Sequence, residues 1–139
     1  MVDRILVPMD DSEMAARALE YALENYAPEQ LTVLHVVGEP SPMWGSATGL
    51  ALEDDIESAA AEAAEPVFER ARDIASEYDA TLNTAVQLGS PARGILNAAG
   101  DYDAIVIGSH SGGLSDRLLV GNVAKKVFRR SPVPVTVVR

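Results

Sequence analysis

Residues 105–113 have the sequence Ile105-Val106-Ile107-Gly108-Ser109-His110-Ser111-Gly112-Gly113, in which an apolar run passes directly into a loop of glycine and serine. The pattern predicts a buried strand over Ala104–Ile107 and, after the loop, a helix that begins near Gly121. A strand, a glycine-rich loop and a helix start together present backbone N–H groups to a phosphate. The segment therefore predicts one strand–loop–helix unit with an anion site at its loop.

The same alternation of strand and helix runs through the whole chain. The other predicted strands are Arg4–Val7, Leu31–Val37, Thr81–Leu88 and Val133–Val138. The predicted helices begin at about Glu13, Leu52, Pro91 and Gly121. Strands that alternate with helices from end to end are typical of an α/β fold with a doubly wound sheet, here in a single domain over residues 1–139.

Several residues predict where helices begin, end or break. Asp10, Asp11 and Ser12 all offer oxygens that can cap the first helix, and Asp10 with Glu13 resembles a capping box. Pro66 is expected to kink or divide the second helix, predicted to end near Tyr78. Ser90 is predicted as the N-cap of the third helix, with Pro91 at its first position and Gly100 just past its end.

Composition excludes several classes of function. The chain has 139 residues, no cysteine and a formal net charge of −10, which disfavours nucleic acid as a partner. It has no apolar run long enough to span a membrane and does not begin with a signal peptide, so we expect a cytoplasmic protein. Residues 70–139 contain nine basic and six acidic residues, so the predicted anion site lies in the less acidic half of the chain.

Ligands of doubly wound sheets bind beyond the carboxyl ends of the strands. Two segments at these strand ends are candidates for ligand binding. Asp10 follows the first strand and can either cap a helix or contact a ribose hydroxyl or a metal ion. The loop from Gly108 to Asn122 is either a plain connection or a functional loop, and its length favours function. It contains neither the Gly-Lys-Ser/Thr of a P-loop nor the Gly-x-Gly-x-x-Gly pattern of dinucleotide-binding proteins.

Other side chains keep more than one interpretation. Met43 and Trp44 can cover an adenine or pack against a partner. His35 lies in an apolar strand and is expected to be a buried or edge residue rather than a catalyst, whereas His110 can contact a phosphate. Two separated histidines without cysteine do not form a metal-ligand cluster. Arg117, within the loop, is the positive side chain nearest to the predicted anion site in the sequence.

Four stretches together resemble the universal stress protein family over the whole chain: Ile5–Ser12, Leu34–Val37, Gly89–Pro91 and Pro132–Val135. The resemblance implies a five-stranded parallel sheet with four helices, of the adenine nucleotide alpha hydrolase type. It also implies a homodimer formed through the last strand.

The family divides into members that bind ATP and members that do not. The binders resemble Gly-x-x-Gly, nine residues, then Gly-Ser or Gly-Thr. Gly108 and Gly121 occupy the outer positions of this motif, but Ser111 replaces its second glycine and Asn122 replaces its hydroxyl residue. The Cβ of Ser111 can crowd a phosphate, whereas the Asn122 amide can still donate a hydrogen bond to one.

The resemblance also implies which residues bind the nucleotide. Pro8, Asp10 and Val36 would line its adenosine side, with Asp10 at the ribose or at a nucleotide-bound Mg²⁺. The phosphate side would consist of Ile107, Gly108, Ser109, His110, Ser111, Gly121, Asn122 and Val123.

Two functions follow as hypotheses. The first is a cytoplasmic stress-response protein that binds ATP, ADP or AMP as a sensor and acts on an unknown regulatory protein. The second is a nucleotide-free dimerisation module of the same fold. Hydrolysis would be slow at most, because the sequence shows no general base or arginine finger for phosphoryl transfer; a true ATPase is a third, weaker interpretation.

Overall fold

The computed structural model of the chain describes residues 3–38, 53–109 and 121–139, with the side chains of residues 53–55 left out. The strands are β1 (Ile5–Pro8), β2 (Leu31–Val37), β3 (Asn83–Leu88), β4 (Ala104–Gly108) and β5 (Val135–Val138). The helices are α1 (Glu13–Asn25), α2 (Glu53–Ser76), α3 (Pro91–Ala99) and α4 (Asn122–Arg130), and a 3-10 turn over Pro28–Gln30 leads into β2.

All five strands are parallel, in the order β3-β2-β1-β4-β5. The predicted doubly wound sheet with four helices is therefore confirmed. The central strand β1 pairs with β2 through Ile5 and Leu31, and with β4 through Ile5 and Ala104. The chain runs outward from β1 in one direction and from β4 in the other, so the strand order reverses between these two strands, which is the usual place for a ligand.

The helices cover both faces of the sheet. Ile5 and Val7 pack with α1 and α2 on one face, whereas Leu6 packs with α3 and α4 on the other. Because successive strand residues point to opposite faces, a strand covered on both sides must be apolar throughout. Ile5, Leu6 and Val7 are accordingly all fully buried.

The predicted capping box between Asp10 and Glu13 is wrong. Ser12 is the N-cap of α1, and its Oγ accepts a hydrogen bond from the Ala15 N–H over 3.2 Å. Asp10 lies two residues earlier and accepts the Ser12 N–H instead, while Glu13 pairs with Arg70 over 2.7 Å. A serine one turn before Ala15 therefore caps the helix and leaves Asp10 outside it.

Pro66 does not divide the second helix, which continues from Glu53 to Ser76 with the proline inside it. Buried residues lie on both sides of Pro66, among them Ala64 and Val67. Packing against the sheet can offset the hydrogen bond that proline removes, because tertiary contacts supply most of the stability of a helix.

The boundaries of α3 are as predicted, with Ser90 at the N-cap, Pro91 at the first helical position and Gly100 at the C-cap. The Ser90 side chain nevertheless makes no capping hydrogen bond. In the part of the chain that the structure describes, no helix is both long enough and apolar enough to cross a membrane.

Candidate functional site

A cavity of about 280 Å³ opens at the carboxyl ends of β1 and β4, where the strand order reverses. Eight of the eleven residues predicted to bind a nucleotide line it: Pro8, Asp10, Val36, Ile107, Gly108, Gly121, Asn122 and Val123. The structure thus brings together residues that lie more than one hundred positions apart in the sequence, because the ends of parallel strands meet at one edge of the sheet.

A hydrogen bond from the turn before α1 holds the Asp10 carboxylate at this cavity. Its Oδ1 accepts the backbone N–H of Ser12 over 2.9 Å, and Ser12 in turn caps α1. Among the described residues, Oδ2 has no hydrogen-bond donor. Asp10 therefore does not cap α1; one of its carboxylate oxygens orders the turn before the helix, and its place in the cavity lining is compatible with contact to a ligand.

Three helices begin at the cavity. Ser12 is the N-cap of α1, Pro91 is the first residue of α3, and Gly121 is the N-cap of α4. All three line the cavity. The N-cap residues of α3 and α4 make no capping side-chain hydrogen bond. The first N–H groups of a helix have no intrahelical partner and carry the positive end of its dipole; in α3 they begin at Ala92, because Pro91 has no N–H. The cavity therefore suits an anion.

The walls of the cavity are otherwise mainly apolar. Sequence reasoning had not assigned to the site several of the residues that line it: Met9, Ser12, Ala15, Leu34, His35, Pro91, Ile95 and Ala124. Pro91 and Ile95 are four residues apart in α3, so they share a helix face. This spacing is the signal by which the sequence could have assigned Ile95 to the site.

The charge of the described cavity wall comes from few groups. Asp10 is its one carboxylate, and neither lysine nor arginine contributes to it. Among the described residues, no group of three or more His, Asp or Glu side chains could hold a metal ion. Asp10 alone fits Mg²⁺ that arrives with a nucleotide, since Mg²⁺ is usually held by one or two carboxylates together with phosphate oxygens.

Comparison with known proteins agrees with the fold. The sequence profile of the universal stress protein family matches residues 1–139. The chain belongs to the universal stress protein family. It is 31% identical to universal stress protein YxiE of Bacillus subtilis, an alignment that covers 100% of both chains.

Solved structures of the family share the architecture. One is the structure of MJ0577, a universal stress protein of Methanocaldococcus jannaschii, which is 27% identical to this chain in sequence. The two structures superpose with a TM-score of 0.77 over 99% of this chain and 96% of MJ0577. A universal stress protein from Archaeoglobus fulgidus, solved in complex with dAMP, is 24% identical with a TM-score of 0.63 and full coverage of both chains. At that identity the second comparison supports the fold alone.

Gly108, the first glycine of the family's nucleotide motif, has a packing role in this chain. A Cβ at this position would lie 2.8 Å from the carbonyl oxygen of Met14 and 2.9 Å from its carbonyl carbon. The end of β4 thus touches the backbone of α1, and only a glycine permits this approach. Sequence reasoning assigned Gly108 to the phosphate site and did not reveal this second requirement.

Ser109 is absent from the described lining of the cavity, unlike Gly108, the residue before it. Its N–H donates to the Val138 carbonyl over 2.7 Å, and its carbonyl accepts the Gly121 N–H over 2.5 Å. Ser109 therefore ties β4 to both β5 and the start of α4. Its side chain is 1% exposed, and its Oγ has no hydrogen-bond partner within the described ranges.

Two of the predicted ligand residues, His110 and Ser111, lie outside the described residues. So do Met43, Trp44 and Arg117, whose alternatives stay as the sequence leaves them.

Proposed function

We propose that this universal stress protein binds an adenine nucleotide, such as ATP, ADP or AMP, and acts as a cytoplasmic stress sensor rather than as an efficient enzyme. The observation that carries the proposal is the meeting of Asp10 with the uncapped N-termini of α3 and α4 in one cavity. The adenine moiety is proposed because two universal stress proteins that share this fold were solved with adenine nucleotides, one with cAMP and one with dAMP.

Each part of the nucleotide has a suitable surface. Leu34, Pro91 and Ile95 offer an apolar wall for the faces of a purine ring. The N–H groups at the start of α4 can hold phosphate oxygens. The free oxygen of Asp10 can accept a hydrogen bond from a ribose hydroxyl or bind Mg²⁺ that bridges to the phosphates.

The described cavity wall favours binding over hydrolysis. Phosphoryl transfer requires cationic groups around the transferred phosphoryl and a residue that orients the attacking water. The described lining contains no lysine or arginine, and Asp10 is its one carboxylate. Turnover should therefore be slow, and the occupied state would act by ordering the protein surface that a regulatory partner contacts.

Calorimetry with MgATP and AMP tests the proposal, with MgGTP as the control for base recognition. We expect heat of binding for the adenine nucleotides and much weaker binding for GTP. Asp10→Ala should reduce MgATP affinity. Asp11→Ala changes the neighbouring residue, which does not line the cavity, and should leave the affinity within about twofold of the wild type. No heat with either adenine nucleotide would favour the nucleotide-free module.

We also propose that two copies associate through β5. This strand pairs with β4 along one edge, and within the described part of the chain no strand covers its other edge. Val135 and Val137 are only half-buried there, and an uncovered apolar edge favours pairing with another strand. The carbonyls of Pro134 and Val138 accept hydrogen bonds from β4 and the residue that follows it, so the N–H groups of Val135 and Val137 point to the other edge. Sedimentation should show a dimer that Val137→Pro disrupts, because proline removes one of these edge N–H groups. A wild-type monomer would contradict this proposal.

A further inference from the structure

We propose that His35 is a positioning residue for the nucleotide site, and that it acts on Asp10 through the backbone of Met9. The inference rests on the proposed nucleotide binding and adds to it a residue outside the glycine motif and outside the residues assigned to the nucleotide. It follows from a chain of hydrogen bonds that connects β2 to the start of α1.

The strand pattern places the His35 ring beside the turn that follows β1. Leu34 and Val36 pack on the α3 and α4 face of the sheet, whereas Val33 and Val37 pack on the α1 and α2 face. Because side chains alternate along a strand, His35 points to the face of α1 and α2. It lies one residue beyond the last pair of β1 with β2, Pro8 with Leu34.

The ring fixes one backbone group of Met9, and the neighbouring residue of β2 fixes the other. His35 Nδ1 lies 2.7 Å from the Met9 carbonyl oxygen. The Met9 N–H donates to the Leu34 carbonyl over 2.8 Å. Two consecutive residues of β2 thus hold both polar backbone groups of Met9.

The bond determines which nitrogen of the neutral ring carries the proton. A carbonyl oxygen can only accept, so Nδ1 must donate and the neutral His35 must be the Nδ1–H tautomer. In the other neutral tautomer Nδ1 carries no proton, so it could not donate a hydrogen bond to the Met9 carbonyl oxygen.

The carbonyl of Met9 belongs to the peptide unit that ends at the nitrogen of Asp10. Because that unit is planar, the bond from His35 sets the direction from which the chain enters Asp10. On the other side, the Ser12 N–H holds Asp10 Oδ1 over 2.9 Å. The carboxylate is therefore fixed from both sides, with Oδ2 left for the ligand.

Replacement of the ring by two residues that differ in donor capacity tests the bond. Asn retains a side-chain N–H close to the position of Nδ1, whereas Leu has none. We expect His35→Leu to weaken MgATP binding about tenfold, the size of effect expected for the loss of one hydrogen bond. His35→Asn should bind MgATP almost as tightly as the wild type. Equal losses for the two variants at similar thermal stability would overturn the proposal.

A double-mutant cycle separates positioning from general support of the fold. If His35 acts through Asp10, His35→Leu should change MgATP affinity less than about twofold in an Asp10→Ala background. The same tenfold loss in both backgrounds would show that His35 acts independently of Asp10 and would contradict the inference.

A measurement on the unliganded wild-type chain distinguishes failure of this inference from failure of the proposed function. Nitrogen-15 NMR of the neutral ring should show the proton on Nδ1. A proton on Nε2 would overturn the positioning role even if nucleotide binds. Absence of nucleotide binding with the Nδ1–H tautomer present would overturn the proposed function, and with it the nucleotide role of His35.

Discussion

The N–H of Gly121 donates to the carbonyl of Ser109 over 2.5 Å, which joins the end of β4 to the start of α4. The N–H of Ser109 donates to Val138, the last residue of β5. One residue therefore holds the terminal strand and the helix whose N-terminus faces the cavity. The geometry of the candidate anion site depends on this backbone connection and on the packing of Gly108 beneath it.

Gly108→Ala should destabilise the protein. The new Cβ would lie 2.8 Å from the Met14 carbonyl oxygen, and neither backbone can move without displacing α1 or β4. We expect a loss of about 1–3 kcal/mol in the free energy of unfolding, typical of overpacking, measured by urea denaturation. Gly100→Ala is the control, because a Cβ there meets nothing within 4 Å and its φ is −61°. A loss at Gly100 as large as at Gly108 would contradict this explanation.

Gly94→Ala sets two effects of similar size against each other. Alanine is about 1 kcal/mol better than glycine inside a helix, but the Cβ would lie 2.9 and 3.0 Å from the two methyl groups of Val36. We expect a small net destabilisation in the wild type. In a Val36→Ala background the methyl groups are gone, so Gly94→Ala should stabilise. Thermal unfolding of the four variants measures this coupling, and the same effect of Gly94→Ala in both backgrounds would argue against it.

Asp103 should make stability depend on pH in the acid range. Its Oδ2 accepts the backbone N–H groups of Asp3 and Arg4, each over 2.9 Å, and these bonds lower the pKa of Asp103 below its usual value of 3.8. A carboxyl whose pKa is lower in the folded protein contributes stability above its unfolded pKa, and loses it as the pH falls through the folded pKa.

The melting temperature should therefore fall below about pH 4, and Asp103→Asn should reduce this acid-dependent part of the decline. Asp101→Asn, a change to an exposed neighbour two residues away, is the matched control. Differential scanning fluorimetry across the acid range measures both variants. An unchanged acid decline in Asp103→Asn would show that other carboxyl groups cause it.

The two departures from the family motif should weaken nucleotide binding. Ser111→Gly removes the Cβ that can crowd a phosphate, and Asn122→Ser restores the hydroxyl that the motif contains. We expect each change to tighten MgATP binding and the double variant to bind most tightly, as measured by calorimetry. If neither change increases affinity, the motif positions do not limit binding in this chain.

The sequence predicted the sheet well, and most of the described residues that it assigned to the site line one cavity, because both depend on strong local signals. Apolar runs marked all five strands, and the rule that ligands bind beyond strand ends placed Asp10 and Gly121 together. The contacts that only the folded chain creates could not be predicted. These include the approach of Gly108 to Met14, the link from His35 to Met9, and the packing that keeps α2 continuous through Pro66.

Boundaries and caps were predicted less accurately, for local reasons. Three potential capping residues stand in a row at Asp10, Asp11 and Ser12, and the sequence does not decide which of them caps α1. In the structure Ser12 does so, which frees Asp10 for the cavity. The strand β5 begins at Val135 rather than Val133, since Pro134 has no N–H to donate.

The most direct test of nucleotide binding at this site is a crystal structure of the protein grown with MgATP or AMP. We expect density for the base against Pro91 and Ile95, and for a phosphate at the N-terminus of α4 beside Gly121. The Asp10 carboxylate should lie within hydrogen-bond or metal-ligand distance of the nucleotide. A structure from saturating nucleotide with this cavity filled only by water, or with nucleotide bound elsewhere, would contradict nucleotide binding at this site.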